Sequence, residues 1–203
     1  MKLYEEGRAP NPRRVRIFLA EKGITVPRNS IDINKMEHKT PAFTALNPLQ
    51  RTPALQLGDG TIIAESIAIC RYFEELQPDP PLFGVGALGK ALVEMWQRRI
   101  EFGLLGTVAA VFRHLHPAMA QMETPQVVEW GKANKPKVVE FLRILDAHLA
   151  NGRFVCGDAF TVADITGLVA VDFMKPARIP LPEELEHVRR WHGQVSQRPS
   201  AKA

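Results

Sequence analysis

The residues best suited to chemistry lie between positions 38 and 66. Glu65-Ser66 places an acid and a hydroxyl just before an apolar stretch running from Ile67 to Leu76. Such a pair can cap a helix, or it can hold an ammonium and a carboxylate, because helix N-termini favour anions. Upstream stands Asn47-Pro48-Leu49-Gln50-Arg51-Thr52-Pro53-Ala54-Leu55, a turn followed by an X-Pro bond that enters a short strand. X-Pro bonds are cis only about 5% of the time, so the residues alone leave the Thr52-Pro53 isomer open. Arg51 offers a cation beside that bond, and His38-Lys39 offers a second basic pair nine residues before Asn47. On a polar loop such a pair serves equally as solvated surface. The histidines show no paired ligand spacing and no Gly-rich phosphate loop is present, so neither a metal nor a nucleotide phosphate is expected.

Composition narrows the classes. The 203 residues are enough to bury a substantial core, and 45% hydrophobic with 24% charged residues is ordinary for a globular protein. The net charge of +4 comes from basic residues interleaved with 22 acidic ones. No Lys/Arg-rich run carries stacking aromatics, so the charge suits attraction of small anions rather than nucleic-acid binding. Cys70 and Cys156, the only cysteines, lack paired spacing and are expected as buried thiols in a reducing cytoplasm. Met1 leads straight into a strand pattern without a signal-peptide signature, and no apolar run approaches the roughly 20 residues of a membrane span.

The elements that must position these residues fall into two groups. Lys2-Leu3-Tyr4 reads as a first strand, and Asn11-Pro12-Arg13-Arg14 starts a helix with Val15, Phe18 and Leu19 on one face, ending at Gly23. A second strand is expected within Val26 to Ile33, where Ile31 and Ile33 alternate. Gly58-Asp59-Gly60 marks a hairpin between Ala54-Leu55-Gln56-Leu57 and Thr61-Ile62-Ile63, and Glu65 to Leu76 reads as a helix. Gln77-Pro78-Asp79-Pro80-Pro81 cannot continue it. Beyond this point the pattern is helical throughout. Leu88 to His116 gives one or two helices, and Pro136 is expected to start or kink a helix carrying Val138, Leu142, Leu145 and Leu149. Thr161 and Asp164 stand at capping-box spacing, and a last helix is expected around Glu183 to Gln197. The expected fold is thus an α/β N-terminal domain of order βαβ-ββα over residues 1–77, a linker over 78–85, and an all-α helical bundle over 86–203.

This order, with Pro53 ahead of the hairpin and Glu65-Ser66 after it, resembles the cytosolic glutathione S-transferase family over nearly the whole chain. The resemblance implies a thioredoxin-like first domain that binds glutathione as substrate, with no metal. It implies that Glu65 accepts from the γ-glutamyl ammonium and that Ser66 takes the neighbouring carboxylate. It also implies a cis bond before Pro53, whose exposed preceding backbone at Thr52 pairs with the cysteinyl part of glutathione. Arg51 and His38 match basic positions that theta-like members use for the glycyl carboxylate. A homodimer is implied as well.

The thiol end departs from the family's pattern. Members usually place Tyr, Ser or Cys near the end of the first strand, but Tyr4 falls too early for that role. Aligning Arg14-Val15-Arg16-Ile17 with the Arg-Val-Arg-Ile of zeta-like members puts Ala9 at their serine and Asn11 at their cysteine. Ala9-Pro10-Asn11 looks more like the Thr-Pro-Asn of bacterial nu-type enzymes, which leaves Asn11 as the expected catalytic residue. Arg13 or Arg14 can add charge, and His114 or His116 can hold a water that replaces the missing hydroxyl. The reaction this implies is addition of glutathione thiolate to small electrophiles. The alternatives are glutathione-dependent reduction of a disulfide or peroxide co-substrate, as in nu-type enzymes, and a non-catalytic binding module.

Overall fold

The computed structural model describes residues 1–203, which form two compact units, Met1–Leu82 with Pro199–Ala203, and Phe83–Arg198. In the first unit, β1 (Lys2–Glu5), α1 (Pro10–Glu21) and β2 (Arg28–Ser30) form a βαβ element whose strands pair in parallel. After α2 (Pro41–Leu46) come β3 (Ala54–Gln56), β4 (Ile62–Ala64) and α3 (Ser66–Leu76). The sheet order is β2-β1-β3-β4, with β3 antiparallel to both β1 and β4.

This register has a direct consequence for the site. Ala54 pairs with Tyr4 on one side and Ala64 on the other. The end of β1, the start of β3 and the end of β4 therefore meet at one end of the sheet. The chain leaves β1 there toward α1, enters β3 there through Thr52-Pro53, and leaves β4 there into α3. Leu3, Val15, Phe18, Leu55, Ile69 and Phe73 fill the core between the sheet and these two helices.

Two features of this unit differ from the sequence expectation. The strand expected to carry Ile31 and Ile33 is only the exposed triplet Arg28–Ser30. It is an edge strand without a buried face to impose alternation, and Ile31 continues past it, donating its amide to Glu5 O at 2.8 Å. Helix α2 was not anticipated, because six residues with one buried side chain, Phe43, are too few to show a helical period. Pro41 at its first turn and the Thr40 hydroxyl, which accepts from Phe43 N at 3.3 Å, specify it locally.

Lys22, only 4% exposed, fastens the proline segment to α1. Its ammonium donates to the carbonyls of Gln77, Pro78 and Pro80 at 2.7, 3.1 and 2.5 Å and pairs with Glu74 at 2.6 Å. Gln77 Nε2 returns a bond to Lys22 O at 2.6 Å. Carbonyls that prolines and a helix end leave without amide partners are thus satisfied by one buried cation.

The second unit is helical. It contains α4 (Gly86–Ile100), a π turn over Glu101–Leu105, α5 (Gly106–Leu115), α6 (Val128–Leu149), α7 (Val162–Met174) and α8 (Glu186–Ser196). Pro136 neither starts nor stops α6, which begins eight residues earlier and runs through it. An interior proline costs about 3 kcal/mol. The fully buried stripe Val138, Leu142, Leu145 and Leu149 offsets this at roughly 1.5–3 kcal/mol for each such side chain.

The start of α7 is tied to its surroundings through the fully buried Asp164. One carboxylate oxygen accepts from Thr161 N at 2.9 Å and from the Thr161 hydroxyl at 3.1 Å; the other accepts from Val155 N at 2.8 Å and Trp191 Nε1 at 2.9 Å. Burial pushes this carboxyl up from its ordinary value, against the pull of the donors. The Thr-x-x-Asp spacing read from sequence is therefore a helix cap that also anchors α8 through Trp191.

Candidate functional site

At the sheet end where the three segments meet lies a cavity of about 360 Å³, lined by Asn11, Asn47, Leu49, Arg51, Thr52, Pro53, Glu65 and Ser66. Six of the seven residues singled out from sequence share it. The seventh, His38, is not part of the lining, but the Arg51 charge acts on it.

The Thr52-Pro53 bond is cis. The ladder begins at Ala54, so Thr52 lies outside it, and this residue lines the cavity. The approach to Thr52 is set by Asn47, a buried residue that sequence reading treated only as part of a turn. Its side chain spans the loop: Nδ2 donates to Arg51 O at 2.8 Å, and Oδ1 accepts from Leu49 N at 3.1 Å. Gln50 takes a left-handed conformation with φ 54 inside this clasp, and its Nε2 donates to Thr44 Oγ1 at 3.0 Å. The signal in the sequence was the Asn-Pro turn itself, since Asn side chains hydrogen-bond their own backbone two residues on.

Glu65 precedes α3 with φ 67 and ψ 120, a conformation that L residues avoid. The exposed carboxylate makes no cap bond to the helix, whereas Ser66, its first residue, is only 4% exposed. The pair is therefore not an ordinary cap. It presents an anion beside the positive end of a helix, an arrangement suited to a group carrying both an ammonium and a carboxylate.

At the opposite wall, α1 begins without a side-chain cap on Ala9. Pro10 and Pro12 have no N–H and Arg13 N is bonded to Ala9 O, so Asn11 carries the uncommitted amide of the first turn. Arg14, buried at 2% exposure, donates from Nη1 to Asn11 Oδ1 at 3.1 Å. That bond turns the Asn11 NH₂ outward as a donor. Arg16 holds the preceding loop, with Nη1 2.6 Å from Glu5 Oε2 and Nη2 donating to Gly7 O at 2.7 Å. Of the two arginines considered near Asn11, Arg13 instead donates to Ala201 O at 3.0 Å. The Tyr4 hydroxyl donates to Gln56 within the sheet.

His38 has a buried Nδ1 with no hydrogen-bond partner. Burial chiefly, then the charges of Lys39 and Arg51, hold its pKa below the ordinary imidazole value. Two basic groups that repel one another make a place where a carboxylate relieves strain. His114 and His116 serve local structure: each Nδ1 accepts a backbone amide, from Val127 at 3.1 Å and from Ala118 at 3.2 Å. Cys70 is buried as expected, whereas Cys156 at a turn is only partly so; burial still pushes their thiols up to about 12 and about 11, which makes both poor nucleophiles.

Comparison with known proteins accords with this geometry. Residues 9–76 match the family model of the glutathione S-transferase N-terminal domain, and residues 110–199 match that of the C-terminal domain. Glutathione S-transferase 2 of Saccharomyces cerevisiae is 38% identical over 205 residues, covering 100% of this chain and 88% of the yeast protein. The crystal structure of yeast Gtt2 superposes with a TM-score of 0.95 at 38% identity, covering 100% of this chain and 99% of that one. A glutathione S-transferase domain-containing protein from Marinobacter aquaeolei VT8 also gives a TM-score of 0.95 at 38% identity, with 98% and 99% coverage.

The backbone at Glu65 yields a stability test independent of any ligand. A residue held at such φ/ψ stores about 1–3 kcal/mol that glycine does not. Glu65→Gly is expected to be about 1 kcal/mol more stable than Glu65→Ala in urea denaturation. Equal stabilities would mean that the conformation is not strained.

Proposed function

The chain belongs to the glutathione S-transferase family, and we propose that it conjugates glutathione thiolate to small electrophiles, with glutathione lying along the cavity from α3 to α1. The observation that carries this reading is the convergence of Asn11, Arg51, Thr52, Pro53, Glu65 and Ser66 on one concavity at one end of the sheet. The γ-glutamyl ammonium binds Glu65, and its carboxylate binds Ser66 and the start of α3. The cysteinyl backbone pairs with Thr52 as an added strand would. The glycyl carboxylate meets Arg51, with His38 contributing charge. A reducing compartment such as the cytoplasm suits a substrate that must remain a free thiol.

The thiol then falls to Asn11. A free thiol with pKa about 8.5 is only a few per cent ionised at pH 7, and lowering it by about 2 units takes roughly 2.7 kcal/mol. Two hydrogen bonds to the thiolate, from the Asn11 amide and its NH₂, supply about 1.5 kcal/mol each before solvent exposure discounts them. The N-terminus of α1 adds about 0.3–1 kcal/mol. These contributions are of the required size without a hydroxyl at Ala9. Arg14 acts as a positioning residue, fixing which face of the Asn11 amide meets the sulfur.

We further propose a homodimer. Leu88 and Leu92, one turn apart on α4, are 73% and 43% exposed, and Phe102 on the following π turn is 67% exposed. Such apolar surface is suited to a second copy. Light scattering should give twice the 22.7 kDa chain mass, and Leu88→Glu should shift it toward monomer. A monomeric unaltered protein would reject this assembly.

Asn11→Asp keeps the shape and the Arg14 contact but turns a donor into an anion. It should raise the thiol pKa of bound glutathione by about 1 unit or more, read by ultraviolet titration. Turnover of 1-chloro-2,4-dinitrobenzene per KM should fall at least about 10-fold at pH 6.5. Unchanged values would remove Asn11 from the mechanism.

His38 gives a separate signature. Its pKa is low in the free protein, and a bound carboxylate raises it, so binding takes up protons. Affinity must then strengthen as pH falls through the interval between the two values, the lower of which lies below the ordinary imidazole value. S-methylglutathione, which has no ionisable thiol, should show this uptake by calorimetry in buffers of different ionisation enthalpy. His38→Gln should lose it; the same uptake in that variant would exclude His38.

A further inference from the structure

The second unit carries a cavity of about 470 Å³ lined by residues from the end of α7, the loop that follows it and α8. Its apolar wall is Val171, Met174, Ile179, Pro180 and Leu181, of which the first three are buried. Lys175, Arg178, Asp172 and His192 supply the polar part. Asp172 lies 2.7 Å from His192 Nε2, and the two cations outnumber this single carboxylate on the cavity wall. Lys175 and Arg178 are exposed and border the cavity without a carboxylate partner.

The backbone makes Arg178 conspicuous. Helix α7 closes with a Schellman arrangement: Ile179 N donates to Met174 O at 3.0 Å and Arg178 N to Lys175 O at 3.0 Å. The residue between these bonds must be left-handed, and Arg178 has φ 56. Glycine normally fills that place because any Cβ is strained there. An arginine kept at a glycine position, with its side chain on an apolar cavity, points to a use for the side chain rather than for the turn. The same two bonds occupy the carbonyls of Met174 and Lys175, which reduces the negative potential a helix C-terminus would present to an anion.

We propose that this cavity binds a small amphipathic carboxylate, its apolar body on Met174, Ile179 and Leu181 and its charge between Lys175 and Arg178. The volume lies within the range of small-molecule sites, and two unneutralised cations select an anion over a neutral analogue. The site stands apart from the glutathione cavity in residue content and does not depend on that assignment.

Decanoate is the probe, titrated into the full chain by calorimetry with and without saturating glutathione, beside decanol as the neutral analogue. Expected are a single saturable site unaffected by glutathione and at least about 10-fold weaker binding of decanol. Lys175→Ala and Arg178→Gly should each weaken decanoate to a similar degree. Arg178→Gly should also raise Tm by about 2–4 °C, because glycine suits the left-handed turn, so its loss of binding cannot be ascribed to misfolding. Displacement by glutathione, equal affinity for decanol, or unchanged decanoate affinity in Arg178→Gly would each overturn the proposal.

Discussion

The pairing of Ala54 with Tyr4 on one flank and Ala64 on the other is the constraint from which the site follows. Because β3 runs against both neighbours, one end of the sheet receives the exit from β1, the entry to β3 and the exit from β4. Two helices start there and one stretch of unpaired backbone lies between them. Helix starts and free backbone are the kinds of group that can receive anions and peptide segments. A register shift of one residue in β3 would invert Ala54 and Leu55 and empty the core before it disturbed the site. Burial of Leu3, Leu55 and Ile69 therefore maintains the geometry that the polar residues use.

Around this frame, buried cations work on backbone carbonyls more than on one another. Lys22 gathers the carbonyls after α3, and Arg16 holds Gly7 O while paired with Glu5. Arg14 reaches the side-chain oxygen of Asn11. Each fastens a segment that prolines or a loop leave short of amide donors. Removing one partner of a buried pair costs about 3–5 kcal/mol, far more than a surface ion pair contributes, so these contacts hold the loops of the first unit in place.

Much of this was legible from local signals. The Gly58-Asp59-Gly60 hairpin, the proline segment, the Thr161/Asp164 cap and the acid-hydroxyl pair at α3 are each specified within a few residues, and the structure has all of them. Less legible were features that depend on a partner elsewhere or on an unfavourable backbone. The Asn47 clasp needs Arg51 O at the right height, and nothing in the letters of Glu65, Gln50 or Arg178 announces positive φ. Pro136 does not start its helix, because α6 is held by a stripe of buried leucines and valine that only the packed structure reveals, and that burial outweighs the local cost of an interior proline. The exposed triplet of β2 and the six residues of α2 lacked enough length for any period to show.

The two prolines at the head of α1 leave a narrow chemical provision. Most helix beginnings surround an anion with several interchangeable amides, so that losing one is tolerated. Here both the main-chain and the side-chain donor belong to a single amino acid. One base change in its codon would exchange amide for acid while leaving in place the two prolines that open the helix. In evolutionary terms, the donors offered at this helix start and the architecture that carries them rest on different residues.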